Sequence, residues 1–213
     1  QTKFLEVAQR SHNYRQYVLL LETGLRTAEM IGLTWDSIDW KRRRLTISKT
    51  LEYRHENGVW RAGPPKTKAS YRTIPLTDRA YDVLEACYAE REIRKEAPLL
   101  EMVLPYMDRR SGVQKNLIMR DLVFVNWRTG EPAKNSSYDT HLYKLCDEAG
   151  IERFCMHALR HTYATRAIER GMQPKVLQKL LGHASIKTTM DRYVHVTDDS
   201  LVDAVAQFQA LGN

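Results

Sequence analysis

The chain has 213 residues, of which 43% are hydrophobic and 28% charged, a balance that suits a globular protein with one sizeable core. No apolar run approaches the roughly 20 residues of a membrane span and no signal-peptide pattern opens the chain, so the composition excludes a membrane-spanning protein and predicts a cytoplasmic one. The formal net charge of +7 favours a polyanionic partner, because each neutralised phosphate of a nucleic acid releases condensed counterions.

The first part of the chain predicts helices followed by strands. Apolar periodicity indicates one helix over residues 3–23, ended by Gly24, and a short helix from Thr27 to Leu33. Strand-like segments then follow at Arg44–Ser48, Thr50–Tyr53 and Tyr71–Leu76. We expect these strands to form one small antiparallel sheet, with a long basic connection before the last strand.

The second part predicts mainly helices. Thr77 and Asp78 cap a helix that runs to about Lys95, residues 97–121 have no clear periodicity, and Leu122–Asn126 is expected to be a short buried strand. Further helices are predicted at 136–149, 157–170, 174–181, from Ser185 through Tyr193, and at 198–211. The fold class is therefore mostly α with a small antiparallel β-sheet, an α+β protein.

Three cysteines occur at unrelated spacings, namely Cys87, Cys146 and Cys155. No CxxC pair is present, so neither a disulfide framework nor a zinc site is predicted. We expect reduced, buried thiols.

His157 and Arg160 are three residues apart on a predicted helix, which places both side chains on one face, with Cβ atoms about 5–6 Å apart. The apolar residues around them indicate that this helix is largely buried. A buried arginine requires a negative partner, which a structural salt bridge or a bound anion would supply.

Three further segments carry residues that could act with this pair. Gly182 allows a left-handed helix end that directs His183 away from the helix axis, and Tyr193 follows ten residues later. Near the start of the chain, Arg26 lies between a glycine stop and a new helix. Glu29, one turn later, could hold the backbone of this segment or an arginine, or could be a first-turn carboxylate favoured by the helix dipole.

Together these segments resemble the two signature boxes of the tyrosine recombinases. TGLRTAEMIGLTW, HALRHTYAT, LLGHASIKTT and DRYVH stand in the same order and at similar spacing as in that family. The resemblance covers residue 1 to about 196. The segment PPKTKASYRTIPL is similar to the integrases of phages and conjugative transposons, although the stretch from Arg26 to Lys66 is long and 97–121 looks like an insertion.

The resemblance implies a catalytic domain that cuts and rejoins double-stranded DNA through a 3′-phosphotyrosine bond to Tyr193. It implies that Arg26 and Arg160 bind the scissile phosphate and that His157 and His183 exchange protons there. The family also uses a lysine as general acid. Lys66 and Lys68 both qualify, because their alternation puts both on one side of an extended chain. Lys66 is the preferred candidate, because Lys-Thr ahead of the last strand matches the integrase pattern better, and Lys68 is the alternative.

The resemblance implies no cofactor and no metal, because arginines, a lysine and imidazoles supply the positive field that two-metal nucleases take from ions. It also implies a homo-oligomer on DNA, a tetramer in synapsis. We expect residues 1–196 to form the catalytic domain and 197–213 a tail helix that docks on a neighbouring protomer. Because the chain opens at Gln1 without an initiator Met, upstream DNA-binding domains are expected to be absent from it.

Two other functions are compatible with parts of the sequence. A type IB topoisomerase would use nearly the same residues to relax supercoiled DNA. A non-catalytic DNA-binding regulator with a helix-turn-helix would account for the basic charge but would leave the spacing of Arg26, Arg160, His183 and Tyr193 unexplained. Covalent protein–DNA adducts would distinguish an enzyme from such a regulator.

Overall fold

The structure is a computed structural model that describes residues 1–65, 67–93, 101–107, 111–126 and 128–193, except for the side chains of residues 192 and 193. As predicted, it is mostly helical with small antiparallel sheets. Its helices are α1 (Thr2–Ala8), α2 (Tyr14–Thr23), α3 (Thr27–Ile31), α4 (Asp78–Ile93), α5 (Asn135–Glu148), α6 (Met156–Glu169), α7 (Pro174–Leu181) and α8 (Ile186–Tyr193). Its strands are β1 (Ile38–Asp39), β2 (Arg44–Ile47), β3 (Thr50–Arg54), β4 (Val59–Gly63), β5 (Arg72–Pro75), β6 (Met102–Met107) and β7 (Gln114–Met119).

The prediction of one helix over residues 3–23 is wrong, because the segment forms α1 and α2 with a break between them. At the break, the Ser11 hydroxyl accepts a hydrogen bond from the backbone N–H of Asn13 at 3.0 Å. Serine and asparagine compete in this way with the helical hydrogen-bond ladder. Apolar periodicity continues across the break, which is why the sequence pattern suggested a single helix.

The strands between residues 38 and 75 do not form the single sheet that was predicted. Strand β2 pairs with β1 and β5, whereas β3 pairs with β4 in a separate two-stranded sheet. The strand β4 follows the turn at Gly58 and was missed by the sequence analysis. Which strands pair depends on packing between segments that are distant along the chain, and the local hydrophobic pattern does not predict that packing.

The segment left unassigned by the sequence contains an antiparallel hairpin formed by β6 and β7. The strand predicted at Leu122–Asn126 is reduced to an isolated bridge between Leu122 and Thr34, although Leu122, Val123 and Phe124 are buried as expected. A buried apolar run therefore forms here without a regular strand.

The predicted later helices are confirmed as α5 to α8, with ends within two residues of the expected ones at all described termini. Thr77 caps α4, its hydroxyl accepting the N–H of Ala80 at 3.2 Å. The predicted tail helix at 198–211 lies outside the described residues.

One large hydrophobic cluster extends from α1 to α6 and includes most of α2, where Tyr17, Leu19 and Leu20 are fully buried. A smaller cluster joins α6 to α7 through Ala164, Ala167, Leu177 and Leu181. The end of α7 is thus held against α6 by apolar packing, and this end is where the candidate site lies.

Within the described ranges, no helix has both the length and the apolar character needed to cross a membrane.

Candidate active site

The predicted residues Arg26, Arg160 and His183 come together at the C-terminal end of α7. Arg160 donates from Nη2 to the Leu181 carbonyl oxygen at 2.7 Å, and Arg26 donates from Nη2 to the Gly182 carbonyl oxygen at 3.4 Å. His183 is the next residue along the chain. Two arginines from distant parts of the sequence therefore meet at one helix end.

Gly182 makes this meeting possible. It adopts the left-handed conformation predicted for it, with φ 66° and ψ 41°. A Cβ atom at this position would lie 3.0 Å from the Ala69 carbonyl oxygen and 3.1 Å from the Ser70 Cα. Only glycine combines this backbone conformation with so close an approach of the loop at 67–70.

Arg160 is 2% exposed and is held between two helix ends. Its Nη1 donates to the Gly24 carbonyl oxygen at 2.6 Å, at the end of α2, while its Nη2 bonds the end of α7. Helix C-termini carry partial negative charge, so both contacts favour a cation. Both carbonyl groups therefore help to hold this buried arginine.

Glu29 takes both of the roles that the sequence left open. Its carboxylate accepts the backbone N–H of Arg26 at 2.9 Å at the start of α3 and also binds the Arg26 side chain at 2.7 Å. Burial alone would raise the pKa of Glu29, but the hydrogen bonds and charge of Arg72, helped by Arg26, outweigh it and lower the pKa to about 2. The carboxylate is therefore ionised at neutral pH.

Arg72 is the residue that the sequence analysis missed. It forms a bidentate ion pair with Glu29, at 3.0 and 2.8 Å, and its side chain is 5% exposed. The sequence signal was slight, a single arginine on a strand where alternate residues face the core. Its partner lies in a different element, so spacing along the chain could not reveal the pair.

His183 is tied to the helix that carries the predicted nucleophile. Its Nδ1 lies 2.9 Å from the Thr189 hydroxyl in α8, and both side chains are buried. Its carbonyl oxygen accepts the amide Nε2 of Gln178 at 3.1 Å. These bonds fix the imidazole relative to α8.

His157 lies in the first turn of α6, one turn before Arg160. It is exposed, whereas Arg160 is buried, and its ring packs edge-on against His161 at 4.7 Å between centroids. The prediction of a largely buried helix therefore holds for only one face of α6.

The remaining predicted residues are only partly described. Lys66 lies outside the described residues, and Tyr193 is the last residue of α8 with its side chain outside them. Lys68 is exposed and begins a 3₁₀ turn at Lys68–Ser70. That the two lysines lie on one side of an extended chain stays a prediction, because Lys66 lies outside the described residues. The Thr67 side chain accepts the N–H of Ser70 and caps this turn.

A cleft of about 460 Å³ opens beside His183. It is lined by Ala69, Tyr71, Arg72, Thr73, Lys175, Gln178, Lys179, Leu180, His183 and Ala184. The lysine pair on α7 is exposed and adds positive charge to the rim. This charge suits a polyanion.

The three cysteines are free thiols, as predicted, but only Cys146 is buried, whereas Cys87 is half-buried and Cys155 exposed. The expectation that all three are buried is thus wrong. Among the described side chains, no group of three His, Cys, Asp or Glu residues is arranged to hold a metal ion.

Comparison with solved structures defines the class of the fold. The Tn1549 transposon integrase, solved in complex with circular intermediate DNA, superposes with a TM-score of 0.76 at 27% identity, over 97% of this chain and 64% of that one. The fold of this chain is thus similar to that of a transposon integrase.

Curated relatives lead to the family. The transposase from transposon Tn916 of Enterococcus faecalis is 32% identical over 94% of this chain and 46% of its own length. A tyrosine recombinase XerC-like protein of Caldanaerobacter subterraneus is 28% identical over 95% of this chain and 51% of its own. The model of the phage integrase family matches residues 2–200, and the chain belongs to that family.

The chain spans about half the length of these curated relatives. Their names are those of transposases and recombinases, so the comparisons favour the recombinase over the topoisomerase and the non-catalytic regulator considered above.

Proposed function

We propose that this chain is the catalytic domain of a tyrosine recombinase, which integrates or excises a mobile element by cutting and rejoining double-stranded DNA. The observation that carries the proposal is the convergence of Arg26 and Arg160 on the end of α7, beside His183. The relatives named as transposases, and the transposon integrase solved with DNA, support DNA as the partner.

The two arginines are proposed to bind the non-bridging oxygens of the scissile phosphate. Guanidinium groups present N–H donors in a planar fork that matches a phosphate better than an ammonium does. Because the guanidinium of Arg160 is already held by two carbonyl groups, its orientation requires little rearrangement when DNA binds. Each such preorganised donor contributes about 3–4 kcal/mol to stabilising the transition state.

The proposed reaction is a pair of transesterifications. The Tyr193 hydroxyl oxygen attacks phosphorus, the bond from phosphorus to the 5′-oxygen breaks, and Lys66 donates a proton to the leaving oxygen. The phenolic proton passes to His157 or His183. In the reverse sense a 5′-hydroxyl attacks the phosphotyrosine and tyrosine leaves, so each bond broken is replaced and no cofactor is consumed.

Trapping of the covalent intermediate tests the proposal without knowledge of the natural DNA site. The chain is incubated with nicked duplexes of randomised sequence, in which the short 5′-hydroxyl strand diffuses away after cleavage. Adducts that survive denaturation are then recovered, sequenced and mapped by mass spectrometry. We expect adducts on Tyr193 that disappear in Tyr193→Phe while DNA binding is kept.

Tyr88→Phe is the matched control, because Tyr88 is an exposed tyrosine of α4 that does not line the cleft beside His183. It should form adducts at the wild-type rate. Adducts in Tyr193→Phe, or none with the wild-type chain on any recovered duplex, would contradict the proposed function.

A further inference from the structure

We propose that Arg72 is a positioning residue of this site, which holds Arg26, the lysine-bearing loop and His183 in register with one another. The inference rests on the proposed function, because it concerns the same phosphate site. Arg72 itself contacts Glu29, Ser70 and Leu180. Glu29 in turn binds Arg26, one of the residues that would bind the phosphate.

One guanidinium group links three separate segments. Its two terminal nitrogens donate to the Glu29 carboxylate in α3, at 3.0 and 2.8 Å. Its Nε donates to the Leu180 carbonyl oxygen at 2.6 Å, and Nη1 also donates to the Ser70 carbonyl oxygen at 3.1 Å. The side chain is almost completely buried, so these bonds are protected from water.

The last three carbonyl groups of the α7 end accept hydrogen bonds from three different arginines. Leu180 accepts from Arg72, Leu181 from Arg160 and Gly182 from Arg26. Arg72 is thus part of the same row of contacts as the two proposed phosphate-binding arginines. Movement of the α7 end would displace all three together with His183.

Charge balance gives Arg72 a second effect. The Glu29 carboxylate is buried and binds both Arg26 and Arg72. Together, the Glu29 carboxylate and the guanidinium groups of Arg26 and Arg72 carry a net charge of +1. Positive charge therefore remains to bind a phosphate at Arg26, whose side chain is 36% exposed. Without Arg72, the carboxylate would neutralise Arg26 and compete with the phosphate for its N–H groups.

The loop that carries the lysines is attached to the same residue. Arg72 binds the Ser70 carbonyl oxygen, and the Ser70 hydroxyl donates to the Gly182 carbonyl oxygen at 3.4 Å. The turn that contains Lys68 is therefore fastened to both β5 and the end of α7. A lysine replaces this arginine only in part, because one ammonium group keeps the charge but does not match acceptors on three segments as a planar guanidinium does.

The test compares Arg72→Gln and Arg72→Lys with the wild-type chain in single-turnover cleavage of a duplex recovered by the adduct selection. We expect cleavage to fall by roughly 100-fold in Arg72→Gln, as for a misplaced catalytic group, and by a smaller factor of about 10 in Arg72→Lys, which keeps the charge. DNA binding should stay within about threefold of wild type, because the Arg72 side chain is almost completely buried and the scissile phosphate is only one of the many phosphates that contribute to DNA binding.

A duplex with a methylphosphonate at the scissile position separates positioning from loss of folding. This diester is uncharged, so its cleavage depends less on Arg26, and the defect of Arg72→Gln should shrink to about 10-fold or less. Leu84→Ala is the control for stability, because Leu84 is a fully buried side chain of α4. At a temperature at which both variants remain folded, it should cleave both duplexes at the wild-type rate.

The proposal is overturned if Arg72→Gln cleaves the charged duplex within threefold of the wild-type rate. It is also overturned if the defect of Arg72→Gln is equal on the charged and uncharged duplexes, or if Leu84→Ala loses as much activity as Arg72→Gln. Should Arg72→Gln not fold, the same comparison is made with Arg72→Lys. Failure of the proposed function is seen separately, as the absence of any Tyr193 adduct with the wild-type chain.

Discussion

At Glu29, one buried carboxylate binds two arginines that come from different elements. Arg72 lies on β5, and Arg26 precedes α3, so the ion pairs connect a strand to the helix that carries a proposed phosphate ligand. Breaking a buried pair by removing one partner leaves an uncompensated charge and is strongly destabilising. Glu29 therefore affects both the stability of the domain and the charge of its site.

We predict that Glu29 makes the stability of the domain depend on acid pH. Its pKa in the folded chain is about 2, below the ordinary value of 4.5, so its ionised form stabilises the fold above pH 4.5. This contribution, about 3 kcal/mol, is lost as the pH falls from 4.5 towards 2. Urea unfolding of the wild-type chain and of Glu29→Gln at a series of pH values from 7 down to 2 measures this contribution to the free energy of unfolding.

Glu29→Gln should be less stable at pH 7 by about 3–5 kcal/mol, and the difference should narrow as the pH falls. Glu52→Gln is the control, because Glu52 forms a partly exposed pair with Arg54 and should change stability by less than about 1 kcal/mol. A gap between Glu29→Gln and wild type that does not change with pH would contradict this assignment.

For the general acid, we predict that Lys66→Ala slows cleavage sharply and that Lys68→Ala acts mainly on DNA binding. A substrate with a 5′-bridging phosphorothiolate has a sulfur leaving group that needs no proton, so it should restore cleavage by Lys66→Ala. The rates of both variants on both substrates are compared. Restoration of Lys68→Ala instead would exchange the roles of the two lysines.

At the scale of elements, the site is assembled from helix ends. The α2 and α7 helices both end in a left-handed glycine, Gly24 and Gly182, and their terminal carbonyl groups bind the same guanidinium of Arg160. At Gly24, an added Cβ would collide with the ring of Tyr163 in α6. The helix ends are thus packed so closely that the residue type at each cap determines the geometry of the site.

We predict that Gly182→Ala destabilises the domain and reduces cleavage, whereas Gly171→Ala affects stability alone. Both glycines have a positive φ, 66° and 79°, so alanine costs about 1–2 kcal/mol of backbone strain at each. Only at Gly182 does the new Cβ crowd neighbouring atoms, the Ala69 carbonyl oxygen among them, because nothing lies within 4 Å at Gly171.

Thermal unfolding and single-turnover cleavage of the two variants test this pair. Equal losses of activity in both would mean that backbone strain, and not the contact of the loop with the α7 end, is responsible.

At the scale of the whole molecule, the C-terminal segment is expected to govern how the chain assembles. Residues 198–211 carry an apolar stripe, which includes Leu201, Val202, Val205 and Phe208, and they lie outside the described residues. An apolar stripe of this kind is unfavourable in water and requires a partner surface. The division of the chain into a catalytic domain and a docking tail stays a prediction.

We predict that the tail docks on a neighbouring protomer on DNA, so that deletion of residues 198–213 weakens assembly and changes the cleavage rate but leaves single-site binding unchanged. Burial of the stripe contributes about 25 cal/mol per Å² to association. Assembly on DNA is measured by sedimentation and set beside a thermal melt of the truncated monomer. A large loss of monomer stability with unaltered assembly would indicate docking on its own domain.

A finer variant separates the stripe from the length of the tail. Leu201→Ser with Phe208→Ser should reproduce the effect of the deletion, whereas Gln207→Ser with Gln209→Ser should not, because these glutamines are polar residues of the same segment.

Local sequence signals were sufficient for the later helices and for the helix ends at which Arg26, Arg160 and His183 meet. Gly24 ends its helix as predicted, and Gly182 also adopts the predicted left-handed conformation. The resemblance to the tyrosine recombinases indicated Arg26, Arg160 and His183, which the fold brings together. A helix end depends on a residue and its near neighbours along the chain, so it can be predicted from the sequence.

The tertiary structure decided which distant segments meet. The pairing of β2 with β5, the separate sheet of β3 and β4, and the ion pair between Glu29 and Arg72 all join segments through packing and charge. The periodicity of the sequence does not predict these pairings, because the free energy of each contact depends on neighbouring residues that are brought together only in the folded chain. The sequence by itself therefore indicated the family and three residues that meet at the end of α7, Arg26, Arg160 and His183, and the fold determined how Arg72 connects to them.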